Sequence, residues 1–257
     1  MIARLYQYRD LLLVFIWREF IIRYKQTAIG VLWAILQPVS LMLLFTFIFG
    51  VVLQTTQKDY PFTLFYFAGV LPWTFFSGAT TFSVTSLSSN FHLVTKIYFP
   101  REIIPLSGVA INFIDYLIGL AVYFLLLLVY GIQFTWHMLW LAPLLAMLIV
   151  FTTSVSLLLS ALNVYYRDVK LATTFLIQFL FFATPVIYSI DAVGNQWKYL
   201  LFLNPLTFIV ENMRRVTIEG REIILWQFAI EAIGVVLLYQ IVYRVFIRIE
   251  RAFADVI

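Results

Sequence analysis

Six stretches of the chain are almost wholly apolar, at about 30–53, 62–87, 108–129, 139–162, 171–188 and 223–247. A helix needs about 20 such residues to cross the hydrocarbon core of a bilayer. The runs are solid rather than alternating: Leu120–Val129 reads LAVYFLLLLV, unlike a barrel strand. Lipid offers the backbone no hydrogen-bond partner, so each run must satisfy its own amides as a helix. The pattern predicts an all-α polytopic membrane protein with six transmembrane helices, the fifth being the shortest.

The segments between the runs are also patterned. Residues 1–29 hold an apolar core, Leu11–Trp17, of only seven residues followed by Arg18 and Glu19, which fits neither a span nor a signal peptide. Its mixture of Arg, Trp, Tyr and aliphatics predicts an interfacial amphipathic helix in the headgroup layer. In residues 88–107, Pro100 and Pro105 are expected to break the chain and leave a short helix near Asn90–Tyr98. That helix is either a plain surface element or the grip of a soluble partner. In residues 189–222, Asn204 suits a helix cap and Pro205 the first helical position. Leu206, Ile209, Val210, Met213 and Thr217 then share a face, with Glu211, Arg214 and Arg215 off it. A helix–turn–helix dipping into the outer interface is predicted there, to gate a pore or to plug a gap. The chain reads as one permease domain, 1–257: the arm 1–29, spans 30–188, the outer loop 189–222, and the last span with its tail, 223–257.

Composition agrees. Of 257 residues, 63% are hydrophobic and 12% charged, where soluble domains have roughly 45–50% and about 25%. A soluble enzyme and a disordered chain are excluded. The absence of Cys removes disulfide scaffolds and thiolate metal sites. Charge placement gives orientation. Arg4, Arg9, Arg18, Arg23, Lys25, Lys96, Arg101, Arg167, Lys170, Arg244, Arg248 and Arg251 fall on one side; Lys58, Lys198, Arg214, Arg215 and Arg221 fall on the other. Twelve against five places both termini in the cytoplasm.

Chemistry is sparse. None of the five lysines precedes Ser or Thr, so a phosphate loop is missing and no nucleotide hydrolysis is expected from this chain. His92 and His137 lie in different loops, and no metal centre is expected. Asp115 and Glu231 are the ionisable groups within spans. They read either as a proton or cation relay or as carboxylates that reach the interface or pair with a neighbour.

Aromatics reach 19%, with 26 Phe, 15 Tyr and 7 Trp, more than interfacial belts alone require. Phe62, Tyr66, Gly69, Trp73, Phe76, Thr80 and Ser83 recur on one helix face of the second span, and Phe175, Gln178, Phe179 and Phe182 on one face of the fifth. Rings mixed with hydroxyls and amides suit a surface along which sugars slide, or ordinary helix packing. Ser156 and Ser160, four apart, are candidates for close packing between two copies.

Four motifs carry a resemblance: YKQTAIGVLWAILQP at Tyr24–Pro38, KIYFPREIIP at Lys96–Pro105, YYRDVKLATTFLIQFLFFATPVIY at Tyr165–Tyr188 and NPLTFIVENMR at Asn204–Arg214. In their order and topological places they resemble the permease subunits of type-2 ABC polysaccharide exporters, most of all those that export O-antigen. The resemblance implies a homodimer in the bacterial inner membrane working with two separate ABC ATPases, so that ATP and Mg bind the partner and no cofactor binds this chain. Asn90, Lys96, Tyr98, Arg101, Glu102, Arg167 and Asp168 are then expected to couple to the ATPase, and the helix pair at 197–217 to gate the outer mouth. The substrate implied is a polyprenyl-diphosphate-linked glycan: Tyr66, Trp73, Phe76, Phe175, Gln178, Phe179 and Phe182 would touch the glycan, and Arg4, Arg9, Arg18, Arg23 and Lys25 would attract the diphosphate. Those cations serve equally well as topology signals. No nucleic acid is expected as a partner. Teichoic acid, capsule and small-molecule ABC exporters share the topology, and an ion-coupled transporter would depend on Asp115 or Glu231.

Overall fold

The computed structural model describes residues 2–25, 27–52, 61–96 and 99–256; Lys58 and Tyr98 lie outside them. Among the described residues every regular element is helical: α1 (Ile2–Gln7), α2 (Arg9–Tyr24), α3 (Trp33–Phe45), α4 (Phe62–Ser89), α5 (Phe91–Lys96), α6 (Ile103–Val129), α7 (Leu141–Tyr165), α8 (Asp168–Ala183), α9 (Asn195–Leu201), α10 (Pro205–Thr217) and α11 (Leu225–Val256). Five helical segments there are long and apolar enough to cross a membrane: Gly30–Val52, Phe62–Ser89, Ile103–Val129, Trp136–Tyr165 and Leu225–Glu250.

The predicted fifth span departs from expectation. α8 has 16 residues, about 24 Å at 1.5 Å per residue, short of the roughly 30 Å hydrocarbon core. Pro185 explains the early stop: the residue before a proline is driven out of the helical region, and Thr184 is extended at φ −106°, ψ 137°. Pro105 behaves oppositely. It was expected to break the chain, yet α6 begins at Ile103 and contains it. In a helix's first turn the missing N–H has no intrahelical acceptor to lose.

α4 is the hub. Leu64, Phe67, Leu71 and Phe76 are buried against α6 (Tyr123, Leu127), α7 (Leu144, Leu148) and α10 (Phe208, Ile209). A second cluster at the end carrying both termini joins Phe15 of α2, Leu87, Phe99, Ile103, Leu157, and Val242 and Phe246 of α11. Within hydrocarbon such burial gains close packing rather than escape from water, so fit between helices matters more than apolar area. Ser156 and Ser160 are fully buried in the single chain; they thin α7 for packing inside the protomer and do not lie on a surface open to a second copy. The outward faces are aliphatic where lipid would lie, with Leu36, Leu43 and Leu44 on α3 and Ile230, Ile233, Leu237 and Ile241 on α11 exposed.

Candidate functional site

One stripe of α4 is not covered by the fold. Thr74, Ser77, Gly78, Thr81, Thr85, Ser88 and Ser89 recur at steps of three and four on this mostly buried helix, and none of them is buried. A face turned to lipid would be aliphatic, like those of α3 and α11; this one carries hydroxyls. Thr74 donates to Leu71 O (3.0 Å), Ser77 to Thr74 O (3.3 Å) and Ser88 to Thr85 O (3.0 Å). Their protons are thus satisfied within the helix, which leaves oxygen lone pairs facing outward as weak acceptors.

Two cavities open along this stripe. The first, of about 720 Å³, is lined by Trp33 and Gln37 at α3, Thr74, Ser77, Thr81 and Phe82 of α4, Asn112, Asp115 and Tyr116 of α6, and Ile177 of α8. Arg23 and Asp115 are the charged groups in its wall, and they form an ion pair with each other. Tyr24 also donates to Asp115, and Arg23 reaches Asn112 Oδ1 at 3.3 Å. Burial, and then the carboxylate beside it, push the Tyr24 phenol up to about 12, so it stays a neutral donor. A Cβ at Gly78 would lie 2.6 Å from Asn112 Oδ1, so the bare backbone there lets α4 and α6 approach. The cavity wall is therefore neutral overall, with hydroxyl, amide and aromatic groups side by side.

The second cavity, also about 720 Å³, sits at the terminal end between α4, α5 and the α7–α8 junction. Thr85, Ser88, Ser89, Phe91, Asn163, Val164, Arg167 and Lys170 line it. Asn163 donates to Ser88 at 3.2 Å and holds α7 to α4. Close by, Asn90 donates to Ser86 O and closes α4, while Lys96, Arg167 and Asp168 are exposed. Arg101 donates to Glu250 O (2.6 Å) and its amide to Glu250 Oε1 (3.0 Å). Glu102 is 0% exposed and accepts from Tyr243. Arg101 and Glu102 thus bind the inner loop to α11. Glu102, sealed within the protomer, is not free to touch a partner. Burial, reinforced by Glu250, pushes its carboxyl upward against Arg4 and Tyr243.

At the other end, Arg214 is 2% exposed, although its spacing predicted a place off the apolar face. It donates to Pro185 O (2.6 Å), Val186 O (2.7 Å) and Phe65 O (3.2 Å), pairs with Glu211 (2.9 Å) and stacks over Phe65 at 3.6 Å. Pro185 ends α8 and leaves non-helical carbonyls in the interior, and the five guanidinium donors satisfy them. A Cβ at Gly69 would lie 2.6 Å from Arg214 Nη2 and 2.8 Å from Val186 O, so this close approach requires glycine. Asn204 caps α10 by accepting from Leu206 N and also donates to Thr184 at 2.9 Å. α10 is consequently core. Of the helix pair expected to gate the outer mouth, only α9 stands free, with Trp197, Tyr199 and Leu200 exposed.

The sequence-predicted aromatic residues divide in two. Tyr66, Trp73 and Phe76 are buried: Trp73 packs on Phe181 (5.3 Å), Phe76 on Phe151 (5.5 Å) and Tyr66 on Phe49 (5.5 Å). Neighbouring rings fill the space a sugar would need. Phe175, Gln178, Phe179 and Phe182 all face outward on α8. The arm cations divide as well. Arg9 pairs with Asp10, Arg18 with Glu19 and Arg23 with Asp115, while Arg4 and Lys25 are exposed. Among the described residues, no three His, Asp or Glu side chains gather as a metal-binding group.

The family described as ABC-2 type transporter matches residues 10–218, from α2 through α10. The chain belongs to the ABC-2 type transporter family. It is 31% identical over 212 residues to the O-antigen export system permease protein RfbA of Klebsiella pneumoniae, covering 82% of this chain and 81% of that protein. To the protein of the same name from Myxococcus xanthus it is 31% identical over 223 residues, covering 86% and 85%. The polysialic acid transport protein KpsM of Escherichia coli is 27% identical over 209 residues, 79% of each chain.

Sequence reasoning missed two features of this ABC-2 chain. The hydroxyl stripe lies one position along from the aromatic face traced on the second span: Thr74, Ser77 and Thr81 beside Trp73, Phe76 and Thr80. Its own period of three and four was the available signal. Apart from Glu211 one turn away, the burial of Arg214 carried no local signal, because its backbone acceptors come from residues 65 and 185–188, remote in sequence.

Proposed function

We propose that this chain is the membrane subunit of an ATP-driven exporter that moves lipid-linked polysaccharide, an O-antigen-like glycan on polyprenyl diphosphate, from the cytoplasm to the outer side of the inner membrane. Two copies work with two separate ATPase subunits, and no nucleotide is hydrolysed here. Both termini are cytoplasmic, α2 lies in the headgroup layer, and α8 with the turn after it makes the sixth crossing. α5 and the exposed Lys96 and Asp168 face the ATPase. Relatives named for O-antigen export and polysialic acid transport support a glycan as cargo.

The observation that carries the reading is the hydroxyl stripe of α4. A long polymer moves in many steps, and any contact tight enough to hold it raises the barrier to the next. Hydroxyl oxygens with their protons already engaged, together with Gln37, Asn112 and Trp33, give such weak and repeated contacts. The exposed Phe175, Phe179 and Phe182 extend the surface along α8 with rings on which sugar C–H faces stack.

The test is to fill the groove. Ser77→Trp and Thr81→Trp should each block glycan export while ATPase association and thermal stability stay at wild-type levels. Normal flux through both variants would return the stripe to contacts between helices of the assembly.

A further inference from the structure

The two cavities on the α4 stripe differ in charge. In the upper one Arg23 is neutralised by Asp115 in the same wall. In the lower one Arg167 and Lys170 are the charged groups, no carboxylate lines it, and neither cation forms an ion pair among the described residues. The arm holds five of the ten other cations at this end; there Arg9, Arg18 and Arg23 each carry a carboxylate partner, while Arg4 and Lys25 are exposed and line neither cavity. An anion arriving at the terminal end therefore meets uncompensated positive charge within a formed cavity at Arg167 and Lys170.

We propose that the cavity lined by Thr85, Ser88, Ser89, Arg167 and Lys170 is a binding site for a diphosphate ester. Arg presents a planar fork that matches two phosphate oxygens, and Lys adds a mobile point charge. About 720 Å³ is ample for a diphosphate with part of the first sugar. The proposal rests on the export reading and deepens it. The lipid-borne diphosphate docks at the foot of the hydroxyl stripe, and the uncharged sugars that follow lie along the neutral cavity above. This moves the diphosphate from the arm, where sequence placed it, to the α7–α8 junction.

The test uses the full chain in lipid nanodiscs without its ATPase, so it does not depend on export. Two probes separate the sources of the anion: polyprenyl diphosphate in the bilayer and inorganic pyrophosphate in solution. Arg167→Gln with Lys170→Gln should weaken binding of the lipid probe at least tenfold. Arg9→Gln with Arg18→Gln should leave it within twofold. The Arg167/Lys170 effect should shrink as salt is added, since the two cations are exposed. If the lipid probe binds far more tightly than pyrophosphate, the site serves the membrane-borne ester; equal affinity makes it a general phosphate site and overturns the substrate assignment. Unchanged lipid-probe affinity in the Arg167/Lys170 variant overturns the site itself. So does a variant that loses only ATPase association, because the two cations then belong to the partner interface. Diphosphate bound through Arg167 and Lys170 by a complex that exports no glycan would sink the export reading and leave the site standing.

Discussion

Glu211 and Arg214 lie one turn apart on α10 and form an ion pair at 2.9 Å whose buried cationic half also reaches four backbone carbonyls. The pair fastens α10 to the turn after α8 and to the N-terminal end of α4. Its two members are unequal: without Arg214, the carbonyls of Phe65, Pro185 and Val186 and the Glu211 carboxylate all lose a donor, whereas without Glu211 the guanidinium keeps its carbonyls.

Arg214→Met is therefore predicted to cost about 3–5 kcal/mol, the range for breaking a buried pair. Glu211→Gln should cost about 1–3 kcal/mol. Denaturant unfolding in detergent measures both; an equal or reversed order would contradict the role given to Arg214.

The aromatic residues give a second prediction. Alanine at Phe175, Phe179 and Phe182 together should slow glycan export, about tenfold if about 1.4 kcal/mol of weak contact is lost from the slow steps, with stability little changed. Alanine at Trp73 or Phe76 should instead destabilise by about 3–5 kcal/mol, as for other buried aromatic truncations. Export rate and unfolding midpoint on the same three variants separate the classes. Stable Trp73 and Phe76 variants with slow export would restore those rings to the glycan path.

How far the sequence reached follows from what each signal measures. Hydropathy located the five described segments long and apolar enough to cross a membrane, because lipid imposes length and composition on a segment regardless of its neighbours. It misjudged α8, where one proline overrode an apolar run that continues to residue 188. Periodicity found faces but not which face is covered: Trp73 and Thr74 are adjacent, and only packing against α7 and α8 decides that the ring is buried and the hydroxyl is not. Charge counts gave an expected orientation but no sign that Arg23 meets Asp115 across 92 residues of sequence. Asp115 reads from sequence as a relay or as a paired carboxylate, and the structure pairs it with Arg23.

That contact makes a third prediction. Arg23→Ala and Asp115→Ala should couple by about 0.5–3 kcal/mol in a double-mutant cycle of unfolding free energies, as residues in one network do. Asp115→Asn should also keep export insensitive to a collapsed proton gradient. Additive cycles would remove the latch between arm and α6, and a gradient-dependent export step would revive the relay.

Glu102 supplies the pH prediction. Its carboxyl is pushed above the ordinary range by burial and by Glu250, so the folded protein holds this proton more tightly than the unfolded chain. The folded state is then favoured at pH below the ordinary carboxylate range and loses that advantage as pH rises through the raised value. Glu102→Gln should flatten the decline in unfolding midpoint as pH rises above the ordinary carboxylate range and be the more stable form at the upper end, by about 2–4 °C for each 1 kcal/mol relieved. Parallel wild-type and variant curves would show that Glu102 is not held protonated.

Reconstitution bears most directly on the whole account. Vesicles containing this chain, with or without its ATPase, are loaded on one face with a defined lipid-linked glycan, and its appearance on the other face is followed. The account predicts translocation that requires both the ATPase and ATP. Translocation by the chain alone, driven by an ion gradient, would contradict it.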